Sequence, residues 1–173
     1  MKLKLIFGSD TGNTDFVVET YLLYLLNSFE VEVTEVHKLV EKDWTDNSLF
    51  ILGIPTWYDG VLQSDWEDYF DEFKKIDFTD KTVAIFGLGD QIGYDEYFVD
   101  GIGILAKVVL ENGGKVIGNW PTEDYSFAES KALVNENYFY GLPIDQDNED
   151  ELTLGRLERW VGQLKNEIIH DRY

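Results

Sequence analysis

Cysteine is absent from the 173-residue chain, which removes disulfides, iron–sulfur ligation, zinc–thiolate sites and thiol nucleophiles together. Histidine is nearly absent: His37 and His170 stand far apart in sequence. With no paired ligand spacing, neither a metal site nor a catalytic constellation is expected, and His37 is expected to pack or cap beside the second strand. No apolar run approaches the roughly 18 residues of a membrane span. The N-terminus enters a strand without the basic segment and apolar core of a secretory signal, so a reducing, cytoplasmic setting is the expectation. Positive charge is scarce as well, 14 Lys and Arg against 34 Asp and Glu, a net of −20. That surface repels nucleic-acid backbone and anionic lipid, and it steers basic proteins in. Solubility or a salt-adapted host explains part of the same excess. No linker, repeat or low-complexity segment is visible, so a single domain over 1–173 is expected.

What is present is an alternation of apolar runs with amphipathic stretches. Leu3–Phe7 reads as a strand. Phe16, Val17, Tyr21, Leu22, Leu25 and Leu26 recur at helical spacing. Val31, Val33 and Val36 mark a second strand. The continuous runs Leu49–Ile54 and Val83–Gly87 read as strands buried on both faces, the mark of a parallel sheet. Between them, Trp66, Tyr69, Phe70 and Phe73 form one helix face. Tyr97–Leu110 reads as a long helix stopped by Asn112-Gly113-Gly114. Val116-Ile117 opens a fifth strand, Tyr138–Leu142 is a second strand-like run, and the polar stretch Pro121–Asn137 reads as an insertion interrupting that strand. A last helix is expected over Leu152–Ile169. The fold class is therefore α/β: a three-layer, doubly wound, five-stranded parallel sheet of order 2-1-3-4-5.

In such a sheet, ligands sit beyond the carboxyl ends of the strands. The first strand ends in Gly8-Ser9-Asp10-Thr11-Gly12-Asn13-Thr14. Two glycines there let the backbone curl into a nest of N–H groups at a helix start, and Ser9, Thr11 and Thr14 add hydroxyl donors. A plain helix N-cap at Thr14 or Asn13 explains this stretch, taken alone, equally well. No Lys or Arg lies within it and Asp10 adds negative charge, so a monophosphate fits better than a Mg-nucleoside triphosphate. The third strand runs into Pro55-Thr56-Trp57-Tyr58-Asp59-Gly60. The fourth runs into Leu88-Gly89-Asp90-Gln91-Ile92-Gly93-Tyr94-Asp95-Glu96-Tyr97. Trp57 and Tyr94 are placed to face each other across a flat ring, each adding about 0.5–1.5 kcal/mol of stacking preference. A flat ring with a monophosphate and no metal points to flavin mononucleotide (FMN). Gly101-Ile102-Gly103-Ile104-Leu105-Ala106 matches a dinucleotide fingerprint in letters only. It lies in a stretch read as helix, without the strand–turn–helix context, and close packing explains its glycines.

Ser9–Thr14, Pro55–Gly60 running on through Gln63-Ser64-Asp65-Trp66, and Gly87–Tyr94 together resemble the three FMN loops of flavodoxins, over nearly the whole chain. Pro121-Thr122-Glu123, Ser130–Leu133 and Gly141-Leu142 resemble the extra segment of the long-chain branch. The resemblance implies a flavodoxin-like fold and a low-potential one-electron carrier working between the semiquinone and hydroquinone of FMN, not an enzyme. It implies that Ser9, Thr11, Asn13 and Thr14 hold the phosphate, with Asp10 and Gly12 in the turn. Trp57 would cover one flavin face and Tyr94 the other, with Pro55 and Thr56 leading into the site. The Tyr58–Asp59 peptide, before Gly60, would lie near flavin N5 and flip on reduction, its carbonyl accepting a hydrogen bond from the new N5–H. Leu88, Gly89 and Asp90 and the backbone of Tyr97, Phe98 and Val99 would meet the pyrimidine end, and Asp147 the ribityl chain. Asn13 stands where several long-chain members carry Lys, and Tyr58-Asp59 replaces a glycine or asparagine pair.

The expected partners are basic redox proteins, such as a ferredoxin/flavodoxin-NADP reductase-type donor, and low-potential acceptors, with the chain a monomer. Asp59, Asp65, Glu67, Asp68, Asp71, Asp90, Asp95 and Glu96 are expected to form the docking face, although Asp71 and Glu72 read better as a solvated helix face. An FMN-dependent NAD(P)H:quinone-type reductase is the alternative, disfavoured because Trp57 and Tyr94 would cover both ring faces. A receiver-type signalling module would want acids at the ends of the first and third strands, where Gly8-Ser9 and Pro55-Thr56 stand instead.

Overall fold

The computed structural model describes residues 1–170. β1 (Lys2–Phe7) leads into a helix over 13–25. That helix is α-helical over α1 (Asn13–Val17), π-helical over Val18–Leu22 and α-helical again over α2 (Leu23–Leu25). Then follow β2 (Glu30–Glu35), α3 (Glu41–Thr45), β3 (Leu49–Trp57), β4 (Val61–Leu62), α4 (Ser64–Phe73), β5 (Thr82–Leu88) and α5 (Asp100–Glu111). The chain continues through β6 (Lys115–Ile117), β7 (Trp120–Pro121), β8 (Leu133–Asn135), β9 (Tyr138–Phe139) and β10 (Leu142–Ile144) to α6 (Thr153–His170).

β2, β1, β3, β5 and β10 lie side by side and parallel, which is the expected 2-1-3-4-5 order. The fifth position is filled twice. β6 pairs with Thr82–Ala84 at one end of β5 and β10 pairs with Phe86–Leu88 at the other. The chain between them leaves the sheet and folds into a three-stranded antiparallel sheet of order β7-β9-β8. Tyr138 and Phe139 therefore belong to this small sheet, and only the run from Leu142 completes the fifth strand.

The apolar strands are buried on both faces because helices cover both sides. Val17, Val18, Leu22, Leu157, Trp160 and Leu164 pack on one face. Trp66, Phe73, Ile102, Leu105 and Val109 pack on the other. At about 25 cal/mol per Å² of apolar surface removed from water, this two-sided burial is the main force holding the sheet between its layers.

Three boundaries differ from expectation. Val36 is buried but sits in a 3-10 turn, Val36–Lys38, after β2 has ended. Pro55–Trp57 extend β3 rather than forming a loop, because β4 folds back and pairs Thr56 with Leu62 and Trp57 with Val61. The helix expected from Tyr97 starts at Asp100. A 3-10 turn, Asp95–Tyr97, precedes it, and Val99 adopts φ 47°, a left-handed conformation that breaks any continuous helix. The insertion holds this break: the amides of Ala128 and Glu129 donate to the Asp95 carbonyl, and the Phe98 carbonyl, which a helix over Tyr97–Leu110 would offer to the Ile102 amide, accepts from the Ser130 hydroxyl instead.

Candidate functional site

A cleft of about 290 Å³ opens where β1, β3, β5 and β10 end. Ser9, Asp10, Thr11, Asn13 and Thr14 line it from the first loop and Pro55, Thr56, Trp57 and Tyr58 from the second. Leu88, Gly89, Asp90 and Tyr94 line it from the third, and Gln146 with Asp147 from the turn after β10. Gly12, Asp59, Gly60, Tyr97, Phe98 and Val99 are not in its wall. Gln146 was not among the expected residues; its one sequence signal is its place beside Asp147, after the fourth strand end to reach this rim.

The first loop is shaped by what it leaves unmade. Gly12, at φ 85°, is the N-cap, and no side chain caps the helix. Thr14 and Asn13 are thus not capping residues, and the amides that open the helix face the loop without an intrahelical partner. Ser9 Oγ accepts from the Gly12 amide at 3.0 Å, which holds the curl. Thr14 is 1% exposed and its hydroxyl has no partner.

Asp10 does not turn its charge into this nest. Its carboxylate accepts from Ser64 Oγ at 2.6 Å and from Gln63 Nε2 at 2.8 Å, tying the loop to the start of α4. Burial alone would raise its pKa, but the hydrogen bonds from Ser64 and Gln63 outweigh that and hold it below the ordinary value. Gln63 in turn caps α4 by accepting from the Trp66 amide. It lies so close to Gly8 that a Cβ there would collide with Gln63 Oε1, so Gly8 is bare backbone by necessity.

The β3–β4 hairpin presents Tyr58-Asp59-Gly60 as its turn. Tyr58 has φ 38° and Gly60 φ 80°. A left-handed tyrosine costs roughly 1–2 kcal/mol, part of which is offset by the Gly60 amide donating to the Tyr58 carbonyl at 2.8 Å. Trp57 keeps its Nε1–H buried and unpartnered. Trp57 and Tyr94 share the cleft, with the Tyr58 ring between them: its centroid is 6.1 Å from that of Trp57 and 5.8 Å, edge-on, from that of Tyr94.

The third loop is tied together by side-chain hydrogen bonds. Asp90 Oδ1 accepts from the amides of Ile92 and Gly93, at 3.0 and 2.6 Å, and from Asn148 Nδ2 at 2.8 Å. Burial works against its ionisation, yet these bonds depress its pKa. Buried Gln91 donates to Asp145 and Glu149 and accepts from the Ser126 amide, so one side chain joins the loop, the insertion and the start of α6. Asp147 has the opposite tendency: burial first, then Asp90 and Asp145 nearby, raise its pKa. The Phe98 ring is turned into the insertion, 5.5 Å from Phe127 and 5.6 Å from Tyr125, and Val99 is fully buried. Neither side chain reaches the cleft.

His37 bridges acids at the end of β2 and the start of α4, with Nδ1 3.5 Å from Glu35 and 3.3 Å from Asp65. Asp71 and Glu72 pair with Lys74 and Lys75 on their own helix face and its end. Gly101 and Gly103 lie in α5 and serve packing. A Cβ on Gly101 would stand 3.1 Å from Ile54 and Thr56, and one on Gly103 would collide with the Lys131 carbonyl. Among the described residues no group of three or more His, Asp or Glu is placed to hold a metal, and no helix is long and apolar enough to cross a membrane.

A parallel sheet of this order, with an uncapped helix start, an orphaned hydroxyl and a pair of rings at one rim, defines a doubly wound protein built to hold a mononucleotide. Comparison with known proteins makes the assignment specific. The flavodoxin family model matches residues 5–160. The chain is 43% identical to the flavodoxin of Haemophilus influenzae over 164 residues, 95% of this chain and 94% of that one. It is 41% identical to flavodoxin 1 of Escherichia coli K12 over 167 residues, 96% of this chain and 94% of that one. Among solved structures, Fusobacterium nucleatum flavodoxin bound to flavin mononucleotide superposes with a TM-score of 0.90 at 29% identity, covering 96% of this chain and 98% of that one. The chain belongs to the flavodoxin family.

Proposed function

We infer that this protein carries FMN in the cleft and transfers electrons one at a time between other redox proteins. FMN, when bound, supplies the ring that takes up and returns the electrons. One observation carries the reading: the cleft holds two buried donors with no partner in the chain, Thr14 Oγ1 and Trp57 Nε1. A buried donor left unmatched costs about 1–3 kcal/mol, so an acceptor-rich ligand offsets a cost already present. The loop has no cation and Asp10 is turned toward α4, which suits a single phosphate held by neutral donors.

Within this reading Ser9, Thr11, Asn13 and Thr14 hold the phosphate. Trp57 and Tyr94 flank the ring, the Tyr58 ring giving way to it. Leu88, Gly89 and Asp90 meet the pyrimidine end and Asp147 the ribityl chain, with Tyr97–Val99 behind that wall rather than in it. The Tyr58 carbonyl is the acceptor offered near N5, and using it costs the bond from Gly60.

The protein sets the potential through its field. Two unit charges 4 Å apart at an effective dielectric of about 20 interact by about 4 kcal/mol, and about 1.4 kcal/mol is about 59 mV for one electron. Asp59, Asp90 and Asp147 therefore disfavour adding negative charge to the ring by amounts that matter, and the fully reduced state is reached only at low potential. Exposed Asp59, Glu67, Asp68, Asp95 and Glu96 around the mouth fit a basic redox partner in a small, transient interface.

The test is binding: apoprotein should take up FMN far more tightly than riboflavin, which shares the ring and lacks the phosphate. Equal affinity for the two would remove the phosphate site. Steady-state oxidation of NAD(P)H by the loaded protein alone should be absent, and its presence would favour the reductase reading.

A further inference from the structure

Residues 126–131 of the insertion lie along the third loop and its continuation. The Ser126 amide donates to Gln91 Oε1 at 2.7 Å, and the amides of Ala128 and Glu129 donate to the Asp95 carbonyl at 2.9 and 3.0 Å. The Ser130 hydroxyl donates to the Phe98 carbonyl, and the Lys131 amide to Asp100 Oδ1 at 2.7 Å. The last of these contacts reaches deepest. Asp100 opens α5 and is only 1% exposed. Its other oxygen lies under the hairpin turn: a Cβ on Gly60 would stand 2.8 Å from Asp100 Oδ2 and 3.2 Å from Tyr97 Cδ1. The next amide, of Gly101, donates to Thr56 Oγ1 at 2.9 Å, fastening α5 to the same hairpin.

A carboxylate is thus clamped between the insertion and the underside of the turn. Taking a carboxylate out of water is costly, and burial does raise the pKa of Asp100, with the Lys131 amide acting against that rise. An apolar side chain would fill the space without this cost. What the carboxylate offers instead is one oxygen held by the Lys131 amide and the other packed against the underside of the turn. The turn above it gains from that support, because Tyr58 and Asp59 are exposed and the bond within the turn runs from the Gly60 amide to the Tyr58 carbonyl.

We propose that Asp100 is a positioning residue for the cofactor turn: held by Lys131 of the insertion, its carboxylate seats Gly60 and so fixes how Tyr58–Gly60 meets the flavin. The proposal rests on the reading that this turn adjoins FMN. Its consequence is that the insertion reaches the flavin through one buried side chain, and that the first one-electron step, in which the turn accepts a hydrogen bond, depends on it.

The experiment compares wild type, Asp100→Ala and Asp100→Asn as FMN-loaded full-length proteins. It measures the equilibrium constants of both one-electron steps, urea unfolding of the apoproteins, and amide exchange at Gly60. Asp100→Ala should change the constant of the first step by about tenfold, equivalent to about 59 mV, and speed exchange at Gly60. Asp100→Asn keeps an acceptor for Lys131 and the shape under Gly60, and should restore both readings to near wild type. A loss of urea stability with the first step unmoved in Asp100→Ala would leave Asp100 a residue of the fold only and overturn the proposal. An Asn variant displaced as far as the Ala variant would assign the effect to charge, not position, and overturn it too. Should Asp100→Ala fail to fold, Asp100→Leu fills the buried space while leaving the Lys131 amide without its acceptor. It must shift the first step in a folded protein, and an unshifted step overturns the proposal. A wild-type protein that binds no FMN at all would instead defeat the functional reading, and this inference with it.

Discussion

Replacing Thr14 with Val sets the proposed phosphate site against the stability of the empty protein, because the two should move in opposite directions. The hydroxyl is 1% exposed and unpartnered, inside the helix that opens at Gly12. Valine has nearly the same shape and the same β-branched helical preference. In the apoprotein the substitution removes an unsatisfied buried group, so unfolding free energy should stay level or rise by about 1 kcal/mol. In the complex it removes a hydrogen bond to a charged oxygen, worth about 1.5–3 kcal/mol, which is a loss of about 10- to 150-fold in FMN affinity. Riboflavin, lacking the phosphate, should bind the variant and the wild type alike. Urea unfolding of the apoprotein and fluorescence titration with both ligands measure the three quantities. If Thr14→Val weakened riboflavin as much as FMN, the hydroxyl would be supporting the fold of the loop, and the reasoning from an orphaned donor to a phosphate would be wrong.

Other perturbations follow from the same geometry. Gly8→Ala should destabilise the protein by about 1–3 kcal/mol, as overpacking does, because the new methyl meets Gln63 and disturbs both the α4 cap and the Asp10 link; urea unfolding checks it. Asp10 is held below its ordinary value of 3.8 in the fold, so the stability it contributes is present above that pH and is lost as pH falls through the lowered folded value. Asp10→Asn should therefore show a smaller drop in unfolding free energy between about pH 5 and about pH 3 than the wild type does. Lys4 is fully buried, 3.0 Å from Glu32 and 2.6 Å from Asp43, on strand β1 between the layers. Lys4→Met should cost about 1–3 kcal/mol by leaving Asp43 without its cation, while FMN affinity stays unchanged; a loss of affinity would mean that this triad reaches the cleft.

The strands were legible because a strand buried on both faces cannot avoid a continuous apolar run, and Leu49–Ile54 and Val83–Gly87 are such runs. The first loop of the site was legible in composition, since two glycines among small, hydroxyl-bearing residues after a strand favour a nest of amides at a helix start. What sequence did not disclose depends on residues distant along the chain. The direction of Asp10 is set by Gln63 and Ser64, so its charge reads as a cost until α4 is in place. The break before α5 goes with the left-handed Val99 and with the insertion's Ser130 taking the Phe98 carbonyl. The hairpin after β3 rests on two residues, Val61 and Leu62, too short a pattern to read. Phe98 reads as the start of a helix beside the site, yet its ring completes an aromatic cluster with Tyr125, Phe127 and Phe139 in a segment whose polar spacing hides that core.

The docking surface and the redox behaviour belong to one electrostatic account, in which acids around a cation-free cleft both steer a basic partner and resist negative charge on the ring. The most direct measurement is an anaerobic reductive titration of the FMN-loaded protein followed by visible absorbance. The account predicts two separated one-electron steps, the second at markedly lower potential than in free FMN. A single two-electron step, at the potential of the free cofactor, would contradict it.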